Sequence, residues 1–529
     1  MTGGSLRQAM AWIHGWLGLL AGWLLFAMFL TGAASYFRPE ITRWMQPEHH
    51  AVDVGAVRAT ETAVTHMLRV APNDEQWFIS LPDERNATTR VFARPRPDAP
   101  KNAARKGEII LDPASGEPLA ARETRGGEHF YRFHFQLQLP HPWGRWLAGL
   151  CAMFMLGAII SGVITHKRIF ADFFRLRWSK GQRSWLDAHN VSAVLALPFH
   201  AMITYTGLVT LIAMYMPWPI QANYAKPATY FTEAFPGVPE GEASGRPAPL
   251  TAVGPLAAAA SREWSGGRPY RVIVRHPNDE AATITFVRSS AEALSARGST
   301  ITFSGVDGRR LSAAPAPGPA LKTAGVMLGL HLGHFAGPAL RWTYFLLGLT
   351  GAAMVGTGLA LWTVKRRTGA AARPFFGLAL VDRLNVAAVA ALPAGMAAFL
   401  LANRLLPAGL AGRADMEVSA MFWAWGGLSL ATLLRPVRRA WVEALAVSAA
   451  AFAAVPVVNA LTTERGLLRS IGQGDLLFLF FDLAMIAVAA LLGFASWRIA
   501  RKAVPGSRRQ ARGPRAVAAA PEEALARAA

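Results

Sequence analysis

Seven histidines in or beside apolar stretches are the residues of this chain best suited to chemistry: His14, His134, His166, His189, His200, His331 and His334. Imidazole is expensive next to lipid, and an ionisable group within a membrane span marks function by default. The neutral ring offers one nitrogen to a metal, so the chemistry suggested is metal ligation. The segment GVMLGLHLGHFAG, residues 325–337, sets Gly325, Gly329, Gly333 and Gly337 at four-residue intervals around His331 and His334. Glycine weakens a helix, so its repetition implies something that needs close backbone approach.

The levels of these residues narrow the choice. His14, His166 and His189 fall near one end of their apolar runs, His134, His331 and His334 near the other, and His200 between. His189 and His200 are eleven residues apart; on one straight helix they share a face about 16.5 Å apart along the axis. Two levels of imidazole suit two haems, each iron held between two histidines and so fitted to electron transfer. The single cysteine, Cys151, excludes thiolate cages, iron–sulfur clusters and covalent c-type haem within one chain, so any redox cofactor must be held by other ligands. Gly329 and Gly333 would clear space for the flat macrocycle, with one of His331 and His334 as ligand and the other toward a propionate. Taken singly, a histidine at a helix end is more often an interfacial hydrogen-bonding residue, and a GxxxG repeat a packing seam. His49, His50, His66, His129 and His276 occur in polar segments and read as surface residues.

Positioning such a set requires membrane helices. The 529-residue chain is 52% hydrophobic with a formal charge of +21. Its Lys and Arg residues lie between apolar runs and not on one polar domain, which argues against nucleic acid as a partner and for cationic loops on one side of a bilayer. Runs at 12–37, 143–166, 186–216, 339–364, 378–401, 417–434, 440–461 and 475–497 are each long enough to span, giving eight transmembrane helices. Basic segments at 167–183, 365–367, 435–439 and from 498 onward put both termini in the cytoplasm. Two hydrophilic insertions then fall outside, each running from a helical segment through alternating strands to a turn signal, DPASG or GVDG, which predicts a small α+β module.

The expected fold is therefore an all-α membrane bundle, internally duplicated, with two such modules. In order its parts are a first span within 1–37, module one at 38–140, spans at 143–166 and 186–216, and module two at 217–322. A histidine- and glycine-rich edge with the fourth span follows at 323–364, then an appended four-span bundle at 378–497 and a basic tail, read as disordered, at 498–529.

The duplication is visible in the motifs. His14 precedes Thr31-Gly32 by seventeen residues, and His189 precedes Thr206-Gly207 by the same seventeen. FHFQLQLPHPWGRW leads into the second span as LHLGHFAGPALRW leads into the fourth, which matches His134 to His331. The second and fourth spans both end near SG or TG followed by a basic pair. Packing alone does not predict imidazoles recurring at matched positions at two depths.

WIHGWLGLLAGWLLFAMFLTG, SGVITHKR, the DAHN…TG span and the DPASGEPL and GVDGRRL turns together resemble the PepSY-associated transmembrane family, over roughly residues 5–370. The resemblance implies a bacterial inner-membrane protein with PepSY-like periplasmic modules, of the ferric-siderophore reductase type. Such a b-haem protein passes electrons outward to ferric chelates, so ferric siderophore and the lipid bilayer are the implied partners. It carries ligand roles onto His14, His134, His189 and His331, with His166, His200 and His334 as further candidates. Longer relatives add a flavin- and nicotinamide-binding domain. The Ala/Arg tail here resembles none, which leaves the electron donor open between a quinol and a separate reductase.

Two other classes use the same features: a permease whose histidines hold a metal or siderophore in transit, and a regulatory or binding membrane protein whose modules sense a partner. Purified protein without a Soret band favours the permease; unchanged redox behaviour with lost partner binding after deletion of 38–140 favours the regulatory reading. Asp475 and Asp482 share a helix face in GDLLFLFFD, where a proton or quinol role stands against a hydrogen-bonded structural acid. Pro456 predicts a kink in the seventh span.

Overall fold

A computed structural model describes residues 5–49, 54–97, 107–166, 169, 176–178, 180–234, 241–313, 318–367 and 375–502. His50, most of the basic loop at 167–183 and the tail beyond residue 502 lie outside the described residues. Helix α1 (Leu6–Ser35) starts where Gln8 Oε1 accepts from the Ser5 amide at 3.0 Å. It leads through α2 (Arg38–Met45) to α3 (Gly55–Val70) and strands β1 (Gln76–Ser80), β2 (Thr89–Arg94) and β3 (Ile109–Leu111). Helix α4 (Glu128–Gln136) returns the chain to the bundle, and α5 (Trp143–Thr165) runs back along α1.

Helices α6 (Gln182–Leu195) and α7 (Leu197–Thr210) begin the second half. After short helices within 212–234 come α8 (Val253–Glu263), β4 (Pro269–Arg275), β5 (Thr283–Arg288), β6 (Thr300–Ser304) and β7 (Arg310–Ala313). Helices α9 (Pro319–Leu332) and α10 (Pro338–Arg367) close the repeat. The remaining bundle is α11 (Phe376–Leu405), α12 (Arg413–Leu433), α13 (Val437–Thr462) and α14 (Leu476–Arg501).

Among the described residues, six helices (α1, α5, α10, α11, α13 and α14) are long and apolar enough to cross a membrane, and α6 with α7 makes a seventh if the pair is one bent span. Eight spans are expected from the sequence. Helix α12 stands at the place of the remaining one, but Glu417, two serines and two glycines dilute its apolarity. The 186–216 run also departs from expectation. It breaks at Ala196, with 67° between α6 and α7, because Pro198 has no amide proton and its ring crowds the carbonyl four residues back. His189 and His200 therefore do not share the face of one straight helix.

The two insertions do not form separate modules. They build one antiparallel sheet in the order β3-β2-β1-β4-β5-β6-β7, joined where β1 pairs with β4 and Ile79 stands opposite Val272. Helices α3 and α8 pack on the same face, with Ala63, Met67, Ala257 and Ala260 against Trp77 and Phe286. Either half alone would leave its first strand as an open edge, and pairing the two removes both edges. Alternation in the sequence reports a strand but not its neighbour.

The appended bundle is tied to the first half by buried polar groups. Asp482, fully buried, accepts from Trp44 Nε1 at 3.1 Å and from Asn459 Nδ2 at 3.0 Å. Arg404 donates to Asn459 Oδ1 at 2.9 Å and to the Trp44 carbonyl. Asp475 caps α14 and faces Arg465 at 3.4 Å. Both acids are thus hydrogen-bonded structural groups in this fold. Helix α13 continues through Pro456.

Candidate functional site

The histidines meet in two pairs. His14 on α1 and His189 on α6 have ring centres 6.1 Å apart with planes at 68°. His134 on α4 and His331 on α9 have ring centres 6.2 Å apart with planes at 32°. The first pair belongs to one end of the bundle and the second to the other. His14 and the Met28 carbonyl that holds His134 are fourteen residues apart on α1, a rise of about 21 Å.

Each of the four rings is held by the same device. His14 Nδ1 lies 2.8 Å from the Ala158 carbonyl, His134 Nδ1 2.7 Å from Met28, His189 Nδ1 2.8 Å from Met354 and His331 Nδ1 3.0 Å from Ile203. A carbonyl only accepts, so Nδ1 carries the proton and Nε2 keeps its lone pair. That is the tautomer, and the carbonyl partner, that metal-ligating histidines use.

The glycines explain how the rings reach those carbonyls. Each accepting carbonyl lies four residues before a glycine: Gly32, Gly162, Gly207 or Gly358. A Cβ there would sit 2.7 Å from His134, 3.1 Å from His14, 2.8 Å from His331 or 3.1 Å from His189. The imidazole occupies the space a side chain would take. Each glycine follows a hydroxyl residue, and Thr31, Ser161, Thr206 and Thr357 all return their hydroxyls to the carbonyl four back at 2.7 Å. That keeps a polar side chain satisfied against its own helix. The TG and SG dipeptides are visible in the sequence as marks of the repeat; their use as ring seats is what sequence reasoning missed.

The remaining candidates stand apart from both pairs. His166 caps the end of α5 and takes Asn190 Nδ2 at 3.1 Å on its Nε2, with no second imidazole against it among the described residues. His200 is fully buried, its Nε2 3.3 Å from both the Leu347 carbonyl and Thr350 Oγ1, and its ring packs on Phe29 and Phe199. Of the outer-level candidates His134, His200, His331 and His334, the fold brings His134 and His331 together, while the break at Ala196 sets His200 against Phe29 and Leu347. His334 has its Nδ1 3.2 Å from Ser290 Oγ. Burial first, then Arg38 and Arg85, pushes its pKa down to about 4, so it is neutral at pH 7. His49, His66 and His129 are buried and not surface residues. His129 lies 3.1 Å from Met421 Sδ among Phe130, Phe133 and Phe399, since α4 packs its aromatic face on the appended bundle.

The donor set can be tested against a metal. Two imidazoles bound to one ion at about 2 Å, each nitrogen about 1.2 Å from its ring centre, put the ring centres about 6 Å apart. Both pairs match. Among the described residues no group of three or more His, Cys, Asp or Glu side chains could hold an ion, so two nitrogens are all that either pair offers. A bare ion needs more donors, whereas a porphyrin brings four of its own. Beside the outer pair lies an apolar cavity of about 360 Å³, with Arg38, Arg85 and Arg145 in its walls. The ring separation of each pair is thus the one that two imidazoles sharing one iron would have, and the cavity lies beside the His134–His331 pair.

A family model described as the PepSY-associated TM region matches residues 11–365. Among curated proteins, the chain is similar to a Pseudomonas aeruginosa protein described only as uncharacterized, with 28% identity over 386 residues, covering 68% of this chain and 92% of that one.

Proposed function

The chain belongs to the PepSY-associated TM region family, and from that premise we propose that it is an inner-membrane b-haem oxidoreductase that reduces ferric chelates, ferric siderophores among them, on the periplasmic side. The observation that carries this reading is the fourfold repetition of one ring seat, which leaves two facing imidazole pairs. Bis-imidazole haem, when bound, supplies one-electron transfer at an iron with no open coordination position. The protein's own part is to fix that coordination. The Nδ1–H bonds to Ala158, Met354, Met28 and Ile203 set each ring's tautomer and raise the basicity of Nε2. Arg145 in the outer cavity wall, with Arg38 and Arg85 beside it in ion pairs with Glu128 and Glu40, offers guanidinium donors suited to propionates.

The proposal assigns both termini and the basic ends of α10 and α14 to the cytoplasm by the positive-inside rule, and the sheet to the opposite side. Reduction of Fe(III) to Fe(II) by one electron lowers its affinity for hard oxygen donors and frees it from the chelate.

The test is an optical spectrum with haem quantification, before and after dithionite. Wild type is expected to hold two haems; His134→Ala or His331→Ala to lose one, His14→Ala or His189→Ala the other, and His166→Ala and His200→Ala to keep both. Purified protein without haem would end the proposal.

A further inference from the structure

A second cavity, of about 970 Å³, lies at the outer end of the bundle. Its inner wall is apolar. Trp342 and Phe345 come from α10; Phe480 and Ala484 from α14; Leu400 from α11; Phe452 from α13. Three of those four helices lie beyond residue 365, where the family match ends, so the appended bundle builds most of this wall. Trp342, Leu476 and Phe480 are 45%, 60% and 59% exposed on two membrane-spanning helices. The mouth between α10 and α14 therefore faces lipid.

The polar rim has no net charge to offer an anion. Four arginines line the cavity with four carboxylates. Arg85 and Arg341 both bind Glu40, at 2.7 Å and 3.1 Å, and Glu292 accepts from the Arg268 amide at 2.9 Å. Among the described residues Arg341 Nε is buried without a hydrogen-bond partner, a costly state that a ligand acceptor would relieve. His334, whose Nδ1 is engaged with Ser290, lines this cavity and also the one beside His134 and His331, as does Arg85.

We propose that this cavity binds an isoprenoid quinone or its quinol. The ligand chemistry follows from the walls. A lipid-facing mouth lined by aromatic and aliphatic side chains suits a polyprenyl tail. A balanced rim suits an uncharged head, where a phosphodiester or an anionic chelate would meet as many carboxylates as arginines. A ring carbonyl supplies the acceptor that Arg341 Nε lacks. The volume is that of an ordinary small-molecule site.

The inference rests on the ferric-reductase reading and deepens it by naming the electron donor. Oxidation of one quinol to quinone releases two electrons, which reduce two ferric ions in turn. The two protons pass to the exposed rim carboxylates Asp83 and Glu84 and so to the outer solvent.

The experiment is calorimetric titration of the full-length protein in detergent with decylubiquinone, with haem read optically in the same samples. Two variants are compared with wild type. Gly337→Phe projects into the cavity from a position where a Cβ meets nothing within 4 Å. Arg341→Lys keeps the charge and removes Nε. Saturable binding is expected, weakened about tenfold or more in both variants, as loss of one buried hydrogen bond or of the space would give, with haem content unchanged. Absent binding, wild-type affinity in both variants, or full displacement by an equal concentration of dioleoylphosphatidylglycerol would overturn the proposal. Two retained haems without quinone binding refute this inference alone; a haem-free chain that binds decylubiquinone refutes the reductase reading alone.

Discussion

Placing a methyl group at Gly32 should separate stability from haem retention. The Cβ of Gly32→Ala would lie 2.7 Å from His134 Nδ1 and 2.8 Å from its Cε1, where ordinary contact begins at 3.4 Å. The ring must retreat by about 0.7 Å, which stretches the 2.7 Å bond to the Met28 carbonyl beyond useful length. Metal ligands tolerate about 0.2 Å, and loss of such a supporting bond typically lowers metal affinity by about 10–100-fold. Helix propensity pulls the other way, because alanine stabilises a helix interior by about 1 kcal/mol over glycine. The haem-free protein should therefore gain or hold thermal stability while the outer site loses haem. Gly207→Ala, at 2.8 Å from His331, should behave alike, whereas Gly162→Ala and Gly358→Ala, at 3.1 Å, need a shift of only about 0.3 Å and should be milder. Haem transfer to an apoglobin scavenger, timed beside a thermal melt, gives both readouts. Equal haem release from wild type and Gly32→Ala would refute the ring-seat argument.

Three further outcomes follow from buried groups. Asp482→Ala strands Trp44 Nε1 and Asn459 Nδ2 and leaves Arg404 without its nearby carboxylate; a loss of about 3–5 kcal/mol is expected, seen as a lower Tm with haem content intact. Burial first, and Arg125 second, push His129 from 6.5 to about 4. The unfolded imidazole takes up its proton below about 6.5 while the folded one resists until about 4, so this contribution is full above that window and is lost as pH falls through it. His129→Phe should flatten the fall of Tm between those pH values, and an unchanged slope would count against the assignment. Ile79→Asp puts a charge at the fully buried seam opposite Val272; new protease cleavage in the sheet is expected, with both histidine pairs retaining haem.

Much of this arrangement was legible in the sequence, and what was not has identifiable causes. The spans, the strands and the two histidine levels follow from periodicity and composition, which are local signals. The break at Ala196 was also available, in Pro198, but a long apolar run disguises a proline at the second position of a new helix. The joined sheet was not available, since β1 and β4 are separated by nearly two hundred residues and alternation carries no record of which strand lies alongside.

Pairing, by contrast, follows from the duplication once symmetry is taken seriously. When two equivalent halves pack about a pseudo-twofold axis, a residue near the axis meets its own equivalent, as at a twofold dimer interface. His14 matches His189 in the repeat and faces it; His134 matches His331 and faces it. Strands β1 and β4, the first of each half, pair antiparallel by the same rule. Held in that register, the other three candidates fail: His166 falls opposite Thr363, His200 opposite Leu25 and His334 opposite Leu137. A histidine without an imidazole equivalent has no twin to face across the axis. Those three are the ones that stand apart from the pairs, so repeat equivalence alone sorts four ring-seat histidines from seven candidates.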